Sequence, residues 1–233
     1  MGTGKCIAII PARGGSKRIP RKNIKLFLGK PVLSYSIDVA VRSKCFDVVM
    51  VSTDDDEIAD VARSFGAEVP FKRSAQNSND YASTVDVILE VLDWYKNQGA
   101  EYQYGCCIYP TAPLISVNSL LKGLHLVRDL NHDTSFPIQK FAFPIQRALE
   151  VHERGTMGKV YPADYLSRSQ DLEPRYHDTG QFYWFNIERM ILQKSLLTDN
   201  SAPIILSELE AQDIDSPEDW DLAEIKYKML RNE

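Results

Sequence analysis

Residues 7–27 run Ile-Ala-Ile-Ile-Pro-Ala-Arg-Gly-Gly-Ser-Lys-Arg-Ile-Pro-Arg-Lys-Asn-Ile-Lys-Leu-Phe. An apolar strand, Cys6 to Ile10, leads straight into a loop crowded with glycine and cations. Arg13, Lys17, Arg18, Arg21, Lys22, Lys25 and Lys30 are basic, and no Asp or Glu lies between positions 11 and 30. Small residues let a backbone approach an anion with its N–H groups inward, and Arg and Lys neutralise charge. Such a loop suits the triphosphate of a nucleotide. A basic run can also be a nucleic-acid or nuclear-targeting patch. This one opens on a buried-type strand and is broken by Gly14-Gly15 and Pro20, which favours phosphate chemistry.

The rest of the chain agrees. Net charge is −5 over 233 residues, while residues 11–30 alone carry +7, leaving −12 elsewhere. A binder of long polyanions is basic more broadly, so focused positive charge points to a small anionic ligand rather than nucleic acid. Hydrophobic residues make up 44%, enough apolar side chain for a single core. Cys6, Cys45, Cys106 and Cys107 have neither zinc-like spacing nor a plausible disulfide pairing. They read as reduced thiols of a cytoplasmic protein. No signal peptide precedes Pro11 and no run reaches membrane-spanning length, so no membrane association is expected.

Beyond the loop, strands alternate with helices. Val32–Arg42 is helical, Val48–Ser52 an apolar strand, Glu57–Phe65 a helix stopped by Gly66, and Ala67–Phe71 a short strand. Ser83–Lys96 is amphipathic, with Val87, Ile88, Val91, Leu92 and Tyr95 on one stripe. Tyr104–Tyr109 is a buried strand, and Leu120, Leu121, Leu124 and Val127 mark the next helix. The pattern predicts a three-layer α/β/α domain with a mostly parallel sheet. Residues 136–178 have no helical period and are expected to form an inserted arm of a single domain spanning 1–233. Gln181–Asn186 and Ile204–Leu206 return as strands. Ser216 then caps a last helix whose buried stripe is Trp220, Ala223, Tyr227 and Leu230.

Several constellations carry chemistry. The loop lacks both Gly-x-x-x-x-Gly-Lys-Ser/Thr and Gly-x-Gly-x-x-Gly, which argues against a P-loop enzyme and a Rossmann dehydrogenase. Ser52-Thr53-Asp54-Asp55-Asp56-Glu57 reads first as a helix N-cap with acids in the first turn. Open α/β sheets also place ligands at such strand ends, so Ser52 and Asp54 stand near a site. Arg73 falls just past a strand end; Ser83 is by default the cap of the following helix. Asp213-Ile214-Asp215 puts two carboxylates on one face of an extended segment, with Ile214 turned into the core. They read either as surface acids ahead of a capped helix or, beside a phosphate loop, as hard oxygen ligands suited to Mg²⁺, which also takes phosphate oxygens. Arg147 and Arg168 offer bidentate clamps for a carboxylate. His177 is open to three readings: surface histidine, hydrogen-bond partner of a hydroxyl, or general base.

Pro11-Ala12-Arg13-Gly14-Gly15-Ser16-Lys17 with Lys22-Asn23 resembles the signature of the acylneuraminate cytidylyltransferases. Val51-Ser-Thr-Asp54, Tyr109-Pro-Thr-Ala-Pro113 and Asp213-Ile-Asp215 follow in that family's order, so the resemblance covers about residues 6–222. Within the family, the resemblance is closest to the bacterial pseudaminate branch. It rests on Phe143-Pro-Ile-Gln-Arg-Ala-Leu149, Arg168-Ser-Gln-Asp-Leu-Glu173 and His177-Asp-Thr-Gly-Gln-Phe-Tyr-Trp184. Tyr109 stands where sialic acid enzymes usually carry a sugar-binding glutamine, so sugar recognition is expected to differ.

The resemblance implies a nucleotide-diphospho-sugar transferase-like (Rossmann-like) fold with a protruding dimerisation arm, and a homodimer. The implied reaction joins CTP and pseudaminic acid to give CMP-pseudaminic acid and pyrophosphate, for surface glycan or flagellin glycosylation. N-acetylneuraminate, legionaminate or 3-deoxy-octulosonate are alternative acceptors, and a non-catalytic nucleotide-binding regulator is the alternative of another class. By resemblance, Ala12, Arg13, Gly14, Gly15, Ser16, Lys17, Asn23, Arg73 and Ser83 bind the nucleotide. Arg13, Lys17, Lys22 and Asp215 act in catalysis. Tyr109, Arg147, Arg168, His177 and Gln181 bind the sugar, and Asp213 and Asp215 hold Mg²⁺.

Overall fold

The computed structural model describes residues 4–231; residues 1–3 and 232–233 of the expected domain lie outside them. From the N-terminus come β1 (Cys6–Pro11), a 3-10 turn (Lys22–Ile24), the hairpin β2 (Leu26–Phe27) and β3 (Lys30–Pro31), and α1 (Val32–Ser43). They are followed by β4 (Val48–Ser52), α2 (Asp56–Ser64), α3 (Thr84–Asn97), β5 (Tyr104–Ile108) and α4 (Val117–Arg128). The second half holds β6 (Thr134–Lys140), the hairpin β7 (Leu149–Val151) and β8 (Met157–Lys159), and β9 (Tyr176–Asp178). Last come β10 (Phe182–Asn186), α5 (Ile187–Gln193), β11 (Ser201–Leu206) and α6 (Pro217–Arg231).

β1 shows why the sheet forms. Cys6, Ala8 and Ile10 pack toward one face with α1, α2 and α4; Ile7 and Ile9 pack toward the other with α3 and α5. A strand buried on both faces reads as a continuous apolar run. The sheet order is β11-β6-β10-β5-β1-β4, with β9 also paired to β6. β4, β1 and β5 are mutually parallel, as are β6 and β11, and only β10 and β9 run the other way. The expected three-layer, mostly parallel architecture is what the chain builds. Among the described residues no helix is long and apolar enough to cross a membrane.

Three expectations change. Ala67–Phe71 is not a strand; Glu68 alone bridges to Met50. Leu230 is largely out of the α6 stripe, at 38% exposure. The segment that leaves the sheet is shorter than 136–178, because residues 136–140 complete β6 and 176–178 are β9. Pro137 hid β6 from a propensity reading. Its carbonyl accepts from Thr179 N and Oγ1 (3.3 and 3.1 Å), so its missing N–H falls on the same side, at the break between β9 and β10. Gly180, at φ +62°, turns the chain across that break.

A satellite core decides where the chemistry sits. Ile19 from the basic loop, Phe27 from β2, Ile214 and Trp220 pack together, and Ile214 is fully buried as its spacing required. This cluster brings the loop after β1 against Asp213-Ile214-Asp215, although nearly two hundred residues separate them in sequence.

Candidate active site

The strand ends of β1 and β5 open onto a cleft of about 560 Å³. Arg13, Ser16, Lys17, Lys22, Asn23 and Arg73 line it, with Ser83 and Tyr109 on the far wall. The basic loop is braced from below. Asn23 Nδ2 donates to the Arg13 carbonyl (2.8 Å), and Ala12 N to the Ser52 carbonyl (2.9 Å). Gly14 N donates to Asp54 Oδ1 (2.9 Å), and a Cβ on Gly14 would sit 2.8 Å from Asp55 Oδ2. Gly15 faces open space.

These contacts refine the expectation of inward-facing amides. Ala12 is fully buried, and the amides of Ala12, Gly14 and Ser16 are already bonded within the protein. That leaves the loop's side chains, and the amides of Gly15 and Lys17, which bond to nothing in the protein among the described residues, to meet an anion. Arg21 is not among them: it sits in the left-handed region at φ 54° and grips Asp55 (2.5 and 3.0 Å) and Glu57. That grip holds the Asp55 carboxyl below its usual range.

Arg13 and Lys17 share one carboxylate. Asp80 accepts from Arg13 Nη1 at 2.8 Å and from Lys17 Nζ at 2.5 Å, and Lys17, then Arg13, lower its pKa. Sequence reading passed over Asp80, though it is the only charged residue between Ser74 and Ala82. Arg73 is different. It is buried, its Nε donates to Ser52 Oγ (2.9 Å) and its Nη2 to the Ser52 carbonyl, and among the described residues no carboxylate pairs with it. Burial lowers its pKa despite Asp54 and Glu90 nearby. A buried guanidinium without a counter-ion is costly and calls for an anionic or carbonyl-rich ligand. Ser83 caps α3 as its default reading required, exchanging bonds with Asp86 in a capping box. It nonetheless lines the cleft.

A second cleft of about 460 Å³ holds Asp213, Asp215, His177, Asp178 and Gln139. Two cations of the basic loop form the seam between the clefts. Arg18 Nη1 pairs with Asp215 Oδ2 at 2.7 Å, while Lys22 Nζ donates to the Ile214 carbonyl (2.7 Å) and reaches Asp215 Oδ1 at 3.4 Å. The Asp213 side chain is exposed on the cleft wall. Partial desolvation, then the negative charge of Asp215, still hold its carboxyl above the usual range. Two neighbouring carboxylates, of which Asp213 has no ion-pair partner among the described residues, are a donor set that fits a hard divalent cation, with substrate oxygens filling its remaining positions. Among the described residues no cluster of three or more His, Cys, Asp or Glu could hold a metal alone.

The sugar-binding expectations divide. Tyr109 lines the first cleft, with its hydroxyl 3.3 Å from Thr84 Oγ1 and its pKa raised by burial. His177 lines the second, its Nδ1 2.8 Å from the Asp178 carbonyl. Gln181 is buried instead, donating to the Glu210 carbonyl (2.6 Å) with Oε1 unpartnered. Arg147 and Arg168 lie exposed on the segment outside the sheet, bonded to the Ser167 carbonyl and to Asp171, and line neither cleft of their own chain. Arg18 and Asp178 were quoted in motifs but given no role.

Comparisons with known proteins agree with this geometry. A cytidylyltransferase family model matches residues 7–200. A pseudaminic acid cytidylyltransferase of Campylobacter jejuni is 40% identical over 225 residues, 97% of each chain. A CMP-N,N'-diacetyllegionaminic acid synthase of Legionella pneumophila is 28% identical over 94% of this chain and 95% of that one. Among solved structures, a CMP:2-keto-3-deoxy-manno-octonic acid synthetase complexed with CTP superposes with TM-score 0.69. It is 18% identical and covers 98% of this chain and all of that one, a likeness of fold. With matching motifs, fold and cleft, this chain is a member of the cytidylyltransferase family.

Proposed function

We propose that this enzyme joins CTP to pseudaminic acid, releasing pyrophosphate and giving CMP-pseudaminic acid. The observation that carries the sugar assignment is the likeness to the Campylobacter jejuni enzyme along nearly the whole chain. CTP occupies the first cleft, its cytidine toward Arg73 and Ser83 and its triphosphate along Arg13 to Lys17. Arg13 and Lys17 leave Asp80 to hold the β- and γ-phosphates. Such charge-assisted contacts strengthen as charge builds on departing pyrophosphate. The sugar enters the second cleft. Its anomeric hydroxyl oxygen attacks the α-phosphorus in line, the bond from that phosphorus to the oxygen bridging to the β-phosphate breaks, and the hydroxyl proton is released.

The α-phosphate lies at the seam, where Lys22 and Arg18 already meet Asp215. Asp213 and Asp215 would hold Mg²⁺ there, which neutralises phosphate charge and orients the α-phosphate. Arg147 and Arg168 reach a sugar only across a dimer. Phe143, Val151, Met157 and Leu166, all strongly exposed near them, form the contact surface of that homodimer. The reaction belongs in the cytoplasm, upstream of surface glycan or flagellin glycosylation, a reading that the four free cysteines and the need for CTP support.

A coupled pyrophosphate assay with CTP and a panel of acids tests the reading. Pseudaminic acid is expected to give the highest kcat/KM, above legionaminate, N-acetylneuraminate and 3-deoxy-octulosonate. Preference for another acid rejects the assignment, and CTP binding without pyrophosphate release from any of them rejects catalysis.

A further inference from the structure

Asp178 faces the second cleft beside Asp213 and Asp215, yet pairs with neither seam cation and is not one of the carboxylate pair. Both of its oxygens are held. Oδ1 accepts from the Gly180 amide at 2.8 Å, and Oδ2 accepts from the Tyr183 hydroxyl at 2.5 Å. Tyr183 is itself buried on β10, its ring against Tyr109 (centroids 5.6 Å apart) and Phe136 (5.4 Å). The anchor of Asp178 is therefore part of the wall between the two clefts. Among the described residues no Lys, Arg or His pairs with Asp178, in contrast with Asp215 on the same cleft.

An ionised carboxylate only accepts, with about four lone-pair sites, and two are filled here. What remains is a fixed acceptor turned to a polar cleft. An acidic sugar cannot present its own carboxylate to it, because like charges brought together cost several kcal/mol. It can present a hydroxyl or an acylamino N–H. The sugar carboxylate must then point away from Asp178, toward cations.

We propose that Asp178 is a specificity-determining acceptor for hydroxyl or acylamino N–H donors of the acidic sugar, and that Tyr183 positions it. The inference rests on the sugar occupying the second cleft, as in the reading above. A site built to accept from a donor discriminates strongly, because an acceptor left unmatched in a closed cleft keeps its desolvation cost.

The test is steady-state pyrophosphate release, varying CTP and sugar separately, for the wild type, Asp178→Asn and Tyr183→Phe. Asparagine keeps the shape and swaps one acceptor for a donor. It is expected to raise the sugar KM about tenfold or more, the scale of losing a charge-assisted hydrogen bond, with CTP KM unchanged. Phenylalanine keeps the packing and loses only the anchor, so a smaller rise in sugar KM with kcat preserved is expected. Calorimetric CTP affinity reports whether each variant is folded, and Tyr183→Phe decides if Asp178→Asn is not. An unchanged sugar KM, or equal losses for both substrates, overturns the proposal while leaving the reaction standing. If the wild type prefers another acid, the same comparison is read on that acid. A wild type inactive with every acid overturns both.

Discussion

In the first cleft the cations outnumber the carboxylates: Arg13 and Lys17 share Asp80, and buried Arg73 has no ion-pair partner among the described residues. In the second cleft the carboxylates outnumber the cations. Asp215 takes Arg18 and Lys22, while Asp213 has no ion-pair partner among the described residues. The first cleft keeps a net positive lining before any ligand arrives, although an incoming triphosphate must still draw Arg13 and Lys17 away from Asp80. The second is under-compensated at Asp213, so a cation could reach that carboxylate without displacing one and would compete with Arg18 and Lys22 only at Asp215. Exposed pairs such as those of Asp80 are weak and exchange readily, which suits a site that must open to an anion.

The contrast predicts opposite outcomes for removing a carboxylate from each side. Asp215→Ala takes away half of the carboxylate pair and the anchor of both seam cations. Pyrophosphate release is expected to fall about 10³-fold, as for loss of a central electrostatic group, with the circular dichroism spectrum unchanged. Turnover within a few-fold of wild type would break the distinction between the clefts. Asp80→Asn removes the internal competitor for Arg13 and Lys17. Calorimetry is expected to show CTP binding tighter by a few-fold, a gain that shrinks in high salt because the displaced pairs are exposed. Weaker binding would mean that Asp80 supports the nucleotide instead of competing with it.

Much of this was legible because it is local. A strand running into a glycine-rich basic loop, two acids spaced i and i+2, and Ser216 ahead of Pro217 each declare themselves within a few residues. The acid–base pairings did not, because Arg13 meets Asp80 across 67 residues and Lys22 meets Asp215 across 193. Nothing in a single sequence says which of seven loop cations faces which acid. β6 was hidden by Pro137, whose place at a register break is a property of the sheet and not of the segment. Gln181, expected at the sugar, is buried just ahead of β10, a strand buried on both faces, where its Nε2 donates to the Glu210 carbonyl.

The mildest test concerns stability without substrate. Desolvation and Asp215 raise the Asp213 pKa above its ordinary 3.8, so the fold disfavours the charged form. Above the folded pKa both states are ionised and the folded state carries the full penalty. As pH falls toward 3.8 the folded state takes up its proton first, and the penalty disappears. Asp213→Asn, which cannot ionise, is expected to raise the metal-free melting temperature slightly at pH 7.5, with the difference closing toward pH 4. Added Mg²⁺ binds the native pair and stabilises wild type by mass action, so it is expected to narrow the same difference from the other side. A variant less stable than wild type at pH 7.5 in the presence of chelator would show that Asp213 is compensated by the protein itself. The second cleft would then need no cation, and the asymmetry between the clefts would rest on the excess cations of the first alone.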